Sequence, residues 1–223
     1  DLLHRGLTQR VRALNAFLAD AYGPRDFIRA GHIPEALVTR NPAFVPFMNG
    51  FPVPGGSHVH VSGIDIVRTG PSQFHVLEDN CRTPSGVAYM LEDREVMMRL
   101  FPELFAGQAV QPVEHYPGLL LRTLRDAAPR QLREPTVVVL TPGQYNSAYF
   151  EHTYLARQMG IEIVEGRAFR FDMETDEPLL WLQGDYVKLP PAKFIFHVAH
   201  GFSQIRERHG FMRSCLFLHA IKQ

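Results

Sequence analysis

The chain has 223 residues, enough to bury a hydrophobic core and to form one large or two small domains. Its 23 basic and 23 acidic residues balance to zero formal charge, so the charge favours neither nucleic acid nor an anionic membrane as a partner, and a small molecule is expected. Two cysteines exclude a disulfide scaffold and a zinc cluster, and with no signal peptide or apolar run of about twenty residues the expected location is cytoplasmic.

The first predicted element is an amphipathic helix over residues 2–21. Its apolar residues recur at helical spacing: Leu3, Leu7, Val11, Leu14, Leu18 and Ala21. Gly23 and Pro24 end it, and we expect it to pack on a sheet as a brace. Residues 25–57 are rich in proline and glycine, which predicts connections with one short helix.

The next predicted element is a β-hairpin. Residues 58–68 alternate like a strand, residues 69–72 (Thr-Gly-Pro-Ser) are typical of a turn, and residues 74–80 form the second strand. Folding about that turn brings Asp65 opposite Glu78 to within about one residue.

The period of two along the second strand places four side chains on one face: Phe74, Val76, Glu78 and Asn80. With Asp65 opposite, the oxygens of Asp65, Glu78 and Asn80 can hold one hard cation, for which Mg²⁺ is suited. An edge hairpin with these polar side chains in solvent accounts for the spacing equally well. His58 and His60 have the spacing of a metal-binding pair, but packed or hydrogen-bonded histidines are the better interpretation.

A bend rich in hydrogen-bond donors follows the hairpin. Its residues are Arg82, Thr83, Pro84, Ser85 and Gly86. A guanidinium, two hydroxyls and backbone amides can gather there around an anion such as phosphate. A helix begins at residue 87, with Ser85 as its expected N-cap, and free amides at its N-terminus would favour the same anion. Cys81, next to the bend, is interpreted as a packed thiol.

The following region predicts a βαβ unit. A second amphipathic helix covers residues 116–128, and residues 136–140 are a continuous apolar run typical of a buried parallel strand. A helix from about Ser147 to Gln158, closed by Gly160, leads into a strand over residues 161–164.

The carboxyl end of the strand at residues 136–140 is a second candidate site, because ligands gather at such ends in open α/β sheets. The loop from Thr141 to Ser147 lies there, with Tyr145, Asn146 and Glu151 as candidate contacts for substrate or phosphate. An ordinary strand-to-helix turn, with Ser147 or Asn146 capping the helix, is an equally weighted alternative.

Several blocks of the chain resemble the circularly permuted ATP-grasp family, type 2, which is related to glutathionylspermidine synthase. The blocks are G-L-T-Q-R-V-R-A-L-N-A-F, G-I-D-I-V-R, V-L-E-D-N-C-R-T-P-S-G-V-A-Y-M-L-E and L-T-P-G-Q-Y-N-S-A-Y-F-E-H. The resemblance extends to about residue 167. It implies ATP and Mg²⁺ as cofactors and a ligase that activates a carboxylate as an acyl phosphate, which an amine captures.

By the same resemblance, Asp65, Glu78 and Asn80 match magnesium ligands, and Arg82 is placed for a phosphate or the acyl phosphate. The loop after Thr141 belongs to the substrate side. Beyond residue 167 the resemblance fades, and the family's nucleotide-binding lysines are not apparent, since the three lysines are Lys188, Lys193 and Lys222. His197 and His200 invite a metal interpretation, but packed or solvated histidines are favoured.

Taken together, the sequence predicts an α/β chain, with α+β as the alternative, built as a partial ATP-grasp-like fold. Three regions are expected: residues 1–112 with the metal and phosphate site, 113–167 with the βαβ unit, and a divergent tail over 168–223. The first functional hypothesis is a carboxylate–amine ligase acting on small molecules, complete or as a module that needs a complementary chain or a homo-oligomer. The alternatives are a non-catalytic remnant that binds a metabolite or a partner protein, and a metal-dependent hydrolase.

Overall fold

The chain combines helices with strands and contains a parallel strand pair connected by a helix, which confirms the α/β class. The computed structural model describes residues 2–81, 84–127, 135–165, 169–171, 178–182, 185–188 and 194–198. The chain forms two compact units that divide after Pro84. The boundaries expected near residues 112 and 167 stay predictions, and the compact units divide at a different place.

The first unit contains a long helix, short helical turns and a hairpin. Its elements are α1 (Leu2–Ala21), α2 (Asp26–Arg29), α3 (Glu35–Thr39), two 3-10 turns (Pro46–Met48 and Pro54–Gly56), β1 (Gly63–Gly70) and β2 (Gln73–Asn80). The residues predicted as the apolar face of α1 are half-buried, and Ala21 is fully buried. The predicted long helix and the hairpin are therefore confirmed.

The connection between α1 and the hairpin is more helical than the sequence predicted. Two short helices form there instead of one, and Asp20 at the end of α1 contributes to the first of them. Its carboxylate accepts the amides of Asp26 at 2.9 Å and Phe27 at 3.3 Å, so it satisfies donors that a helix start leaves without a partner.

The first hairpin strand begins at Gly63, which corrects the expected start at residue 58. Asn15 of α1 explains the difference. Its side-chain oxygen accepts the amides of His58 at 2.7 Å and Val59 at 2.9 Å, so these amides bond to a side chain and not to a neighbouring strand. Val59 is buried.

The second unit contains the larger core. Its elements are α4 (Val87–Leu100), α5 (Pro102–Ala106), α6 (Tyr116–Asp126), β3 (Thr136–Thr141), α7 (Tyr149–Met159), β4 (Glu162–Glu165), β5 (Phe169–Phe171), β6 (Pro178–Leu182), β7 (Asp185–Lys188) and β8 (Phe194–Val198). The central strand β3 is buried from Val137 to Thr141, and Leu120 and Leu124 of α6 are buried one helical turn apart. The continuous apolar run of β3 is thus explained by its central position.

The predicted βαβ unit is confirmed. Strands β3 and β4 pair in parallel, and α7 connects them. Gly160 ends α7 with φ of 65°, and its amide bonds to the carbonyl of Arg157 while that of Ile161 bonds to Ala156. This pair of bonds is a Schellman motif, for which glycine is favoured because it adopts positive φ without a Cβ clash.

Part of the region after residue 167 joins this fold. β8 pairs in parallel with β3, giving a sheet of order β4-β3-β8, and β5, β6 and β7 form an antiparallel sheet. The sequence analysis predicted neither. His197 lies in β8 at the register of Val139, whereas His200 lies outside the described residues. No described helix has the length and apolar character needed to cross a membrane.

Candidate functional site

The predicted oxygen ligands of the hairpin share one face. Asp65 pairs with Glu78 in the antiparallel register, and Asn80 pairs with Gly63, two residues before Asp65. The Asn80 amide nitrogen donates a hydrogen bond of 3.0 Å to the Glu78 carboxylate. All three side chains are exposed. The hairpin therefore presents two carboxylates and one amide together to solvent.

The composition of that face differs from the prediction. Asp65 pairs with Glu78, but the next residue, Ile66, pairs with Val76, so Leu77 is an extra residue that forms a β-bulge. A bulge reverses the alternation of side chains beyond it. Glu78 and Asn80 consequently lie on the face opposite Phe74 and Val76, which corrects the four-residue face predicted from a regular strand.

The same reversal directs Asp79 to α1. Its carboxylate accepts two hydrogen bonds from Arg10, at 2.7 Å to Nε and 2.6 Å to Nη2. The hydrogen bond with Arg10 lowers the pKa of Asp79, and the hydrogen bond with Asp79 raises the pKa of Arg10. Asp79 thus stabilises the contact between hairpin and helix, while its neighbour Glu78 is exposed on the opposite face of the strand.

The donor set of the hairpin fits Mg²⁺. This ion takes oxygen ligands and is usually held by one or two carboxylates, with water and substrate phosphates completing an octahedron. Asp65 and Glu78 are such a pair, and Asn80 supplies an amide oxygen. In the part of the chain that the structure describes, no three His, Cys, Asp or Glu side chains group as metal ligands, so a metal here would need the amide, water or phosphate as well.

The two histidines before the hairpin are packed. The ring of His58 stacks on Tyr22, with centroids 6.2 Å apart and planes at 13°. Burial lowers the pKa of both His58 and His60, which favours neutral imidazoles. This agrees with the interpretation of packed histidines.

In the second unit, the N-terminus of α4 is occupied by a carboxylate of the chain itself. The buried Glu151 of α7 accepts the amide of Gly86 at 2.9 and 2.8 Å through its two oxygens, and the amide of Ala88 at 3.3 Å. The N-cap is Gly86, with φ of 98° and no side-chain cap, so Ser85 is not the N-cap that the sequence predicted. The anion expected here is thus provided by the protein.

The carboxyl end of β3 carries a buried polar pair. The hydroxyl of Thr141 lies 3.0 Å from Nδ1 of His152, and the amide of Gly143 donates to the same hydroxyl at 3.2 Å. Thr141 is 1% and His152 5% exposed. Sequence reasoning did not select His152; the available signal was its position next to Glu151 in the N-terminal half of the predicted helix.

The loop between β3 and α7 divides into partnered and exposed residues. Asn146 accepts the amide of Ala148 at 2.9 Å through its side-chain oxygen, which agrees with the ordinary turn named as the alternative. The N-cap of α7 is Ala148 and has no side-chain cap, so neither Ser147 nor Asn146 caps the helix as expected. Tyr145 is 96% exposed, and Ser147 is also exposed. Of the predicted contacts in this loop, Tyr145 and Ser147 are therefore the most accessible to a ligand.

The side chain of Tyr116 lies near Glu151, and burial together with the charge of Glu151 raises the pKa of this tyrosine. A cavity of about 320 Å³ lies among α4, α6 and α7, and Leu91, Met98, Pro117 and Tyr154 are among its lining residues.

Two predicted site residues lie outside the described residues: Arg82, the predicted catalytic residue, and Thr83, a predicted phosphate contact.

Comparison with known families identifies the family of this chain. The sequence model of a family described as "A circularly permuted ATPgrasp" matches residues 1–182. The chain belongs to the circularly permuted ATP-grasp family. The predicted resemblance is thereby confirmed at the level of the family.

Relatives within the curated proteins are longer than this chain. An uncharacterized protein of Mycobacterium tuberculosis is 53% identical over 165 residues, covering 74% of this chain and 30% of the relative. An uncharacterized protein of Synechocystis sp. is 50% identical over 165 residues, 74% of this chain and 34% of the relative. A Frankia alni protein named "Putative glutamate--cysteine ligase 2-3" is 42% identical over 174 residues, 77% of this chain and 20% of the relative. The ATP-grasp chain described here thus spans about a third or less of these relatives.

Proposed function

We propose that this chain acts, by itself or as a module of a larger ligase, in the ATP- and Mg²⁺-dependent joining of a carboxylate to an amine. The observation that carries the proposal is the pairing of Asp65 with Glu78 on an exposed face, within a chain of the ATP-grasp family. Oxygen donors so arranged suit a magnesium ion that also contacts the phosphates of a nucleotide.

In the proposed mechanism, Asp65, Glu78 and Asn80 hold Mg²⁺. The ion, when bound, offsets the negative charge that develops on the transferred phosphoryl group. Arg82 is proposed to contact the phosphate or the acyl phosphate. The chain then contributes by binding and orienting two substrates, which lowers the entropic part of the barrier without a covalent enzyme intermediate.

The proposed contacts to the organic substrates and phosphate are those that the fold leaves accessible. Tyr145 and Ser147 are exposed in the loop after β3, and Ser85 is exposed before α4. Thr83, which lies outside the described residues, stays a proposed phosphate contact on the ground of its sequence position alone. Gly86 and Glu151, predicted at first as phosphate contacts, bond to each other, so we assign them to the framework of the site.

The reaction class agrees with the printed name of the Frankia alni relative, a glutamate--cysteine ligase. We extend only the class to this chain: an amide bond formed between a carboxylate and an amine. The assignment to type 2 of the family, the relation to glutathionylspermidine synthase, a cytoplasmic location and a complementary chain or homo-oligomer are parts of the same proposal.

A second candidate function is a binding module without catalysis. It is favoured by the distribution of lysines. The first lysine of the chain is Lys188, whereas lysine side chains are expected to contact the nucleotide phosphates in this family. Such a module would bind a metabolite or a partner protein through the exposed loop or through the hairpin.

Isothermal titration of the full chain with ATP, with and without Mg²⁺, separates the two functions. We expect Mg²⁺-dependent binding by the wild type and at least about a tenfold loss of affinity, about 1.4 kcal/mol, in Glu78→Gln. Asp79→Asn is the matched control, since Asp79 lies on the opposite face of the same strand, and its ATP affinity should stay within about twofold.

Two results would count against the ligase. A folded wild type that binds no ATP would favour the non-catalytic module. Equal affinity in the wild type and Glu78→Gln would remove Glu78 from the metal site, whatever the reaction.

A further inference from the structure

Adjacent residues of α7 hold two separate segments of the second unit. Glu151 accepts the amides of Gly86 and Ala88 at the start of α4, and His152 contacts the hydroxyl of Thr141 at the end of β3. Both side chains are at least nine-tenths buried. The first turn of one helix therefore connects the beginning of another helix with the carboxyl end of the central strand.

The contact at α4 replaces a local cap. A helix start leaves several amides without helical partners, and a side chain at the N-cap normally accepts one of them. Gly86 has no side chain to do so, and Glu151 supplies both oxygens from a position 65 residues later in the chain. The negative charge also lies at the positive end of the helix dipole, which is the favourable polarity.

The contact at β3 orders the loop after it. The Thr141 hydroxyl meets His152 and also accepts the amide of Gly143, where φ is 107°. Asn146 then bonds to the amide of Ala148 immediately before α7. The exposed Tyr145 and Ser147 are thus carried on a loop whose two ends are both tied to the start of α7.

We propose that Glu151 and His152 are positioning residues that couple the bend at Ser85–Gly86 to the loop carrying Tyr145 and Ser147. Neither contacts a ligand. Disturbing one contact is expected to loosen both segments, because they are attached to the same helical turn. This inference depends on the proposed function only for its catalytic consequence; the structural coupling is tested without it.

Hydrogen exchange followed by mass spectrometry on the full chain tests the coupling. Glu151→Gln removes the charge while keeping the size, and Thr141→Val removes the hydroxyl while keeping the shape. Each variant is expected to speed amide exchange at least about tenfold in both segments, residues 86–90 and 142–149. Glu103→Gln, an exposed carboxylate in the first turn of α5, is the matched control and should leave both segments unchanged.

Steady-state kinetics supplies a second measurement, the KM, which a change in fold stability alone would not alter. If the residues position the ligand-contacting segments, Glu151→Gln raises the KM of a substrate about tenfold while kcat per folded molecule changes less than about twofold. A role confined to stability would instead reduce the folded fraction and leave KM unchanged. Glu151→Asp, which keeps the charge, should recover part of the affinity.

Three outcomes are decisive. Faster exchange in only the segment next to the substituted residue overturns the coupling, and unchanged KM overturns the positioning role. Absence of turnover in the wild type rejects a ligase that acts by itself but not the coupling, which the exchange pattern then decides alone. If Glu151→Gln does not fold, the same comparison is made with Thr141→Val.

Discussion

Glu78 and Asp79 are neighbours in the sequence with opposite roles. Glu78 faces solvent beside Asn80, whereas Asp79 forms a two-bond ion pair with Arg10 of α1. The sequence provides two successive carboxylates but does not reveal which one has a cationic partner, because Arg10 lies 69 residues earlier. At the scale of single residues, the long-range partner decides which of the two acids is held in an ion pair and which stays exposed on the hairpin.

The ion pair of Asp79 predicts a pH dependence of stability. Arg10 lowers the pKa of Asp79 below its ordinary value of 3.8, so the ionised carboxylate is more stable in the folded state than in the unfolded chain. The stabilisation is present above 3.8 and is lost as the pH falls through the lower, folded-state pKa. We expect Asp79→Asn to unfold more easily than the wild type at neutral pH, with the difference shrinking below 3.8.

Chemical denaturation across this pH range measures the effect, with Arg10→Gln and the double variant completing a mutant cycle. The coupling energy between the two residues should be favourable at about pH 7 and should shrink as the pH falls below 3.8. A coupling that is constant over the range would contradict the assigned ion pair.

At the scale of elements, hydrophobic periodicity predicts where a helix or strand forms better than it predicts which face each side chain occupies. The helices α1, α4, α6 and α7 and the strands β2, β3 and β4 all follow hydrophobic patterns or glycine and proline boundaries that the sequence displays. The bulge at Leu77 has no such signal, since an extra residue in a strand leaves the local composition unchanged. It nevertheless decides which face Glu78 and Asn80 occupy.

Burial within a single helix provides an element-scale prediction. Leu124 of α6 is completely buried, whereas Leu119 of the same helix is 42% exposed. Leu124→Ala is expected to lower the free energy of unfolding by about 2–5 kcal/mol, because it removes apolar contacts and leaves a cavity. Leu119→Ala should cost about 0.5 kcal/mol or less.

Denaturant unfolding of the two variants gives this comparison directly. The midpoint should fall clearly for Leu124→Ala with little change in the slope. Equal losses for both variants would be inconsistent with the burial of α6 described here.

At the scale of the whole molecule, family membership and reaction class have different support. The match over residues 1–182 establishes the family, while the chain covers only 20–34% of the relatives compared with it. The activity therefore has to be measured on the chain itself. We expect ADP to form only when a carboxylate and an amine are both present, with Glu78→Gln reducing the rate at least about a hundredfold through the loss of a metal ligand.

Coupled assays of ADP and phosphate, with panels of amino acids as carboxylate and amine donors, make this measurement. Phosphate release that is independent of any amine would instead identify the metal-dependent hydrolase. Glu103→Gln serves as the control for a change of one exposed charge.

The amino-acid sequence alone was sufficient to predict the fold class, most of the long helices and strands, and the hairpin with Asp65 opposite Glu78. These features depend on local periodicity and turn chemistry. It was not sufficient for the contacts between distant segments. The pairing of Arg10 with Asp79, the cap that Glu151 provides for α4, and the addition of β8 to the sheet required the folded chain. Each joins residues tens of positions apart, and no local pattern determines which of many possible partners packing will bring together.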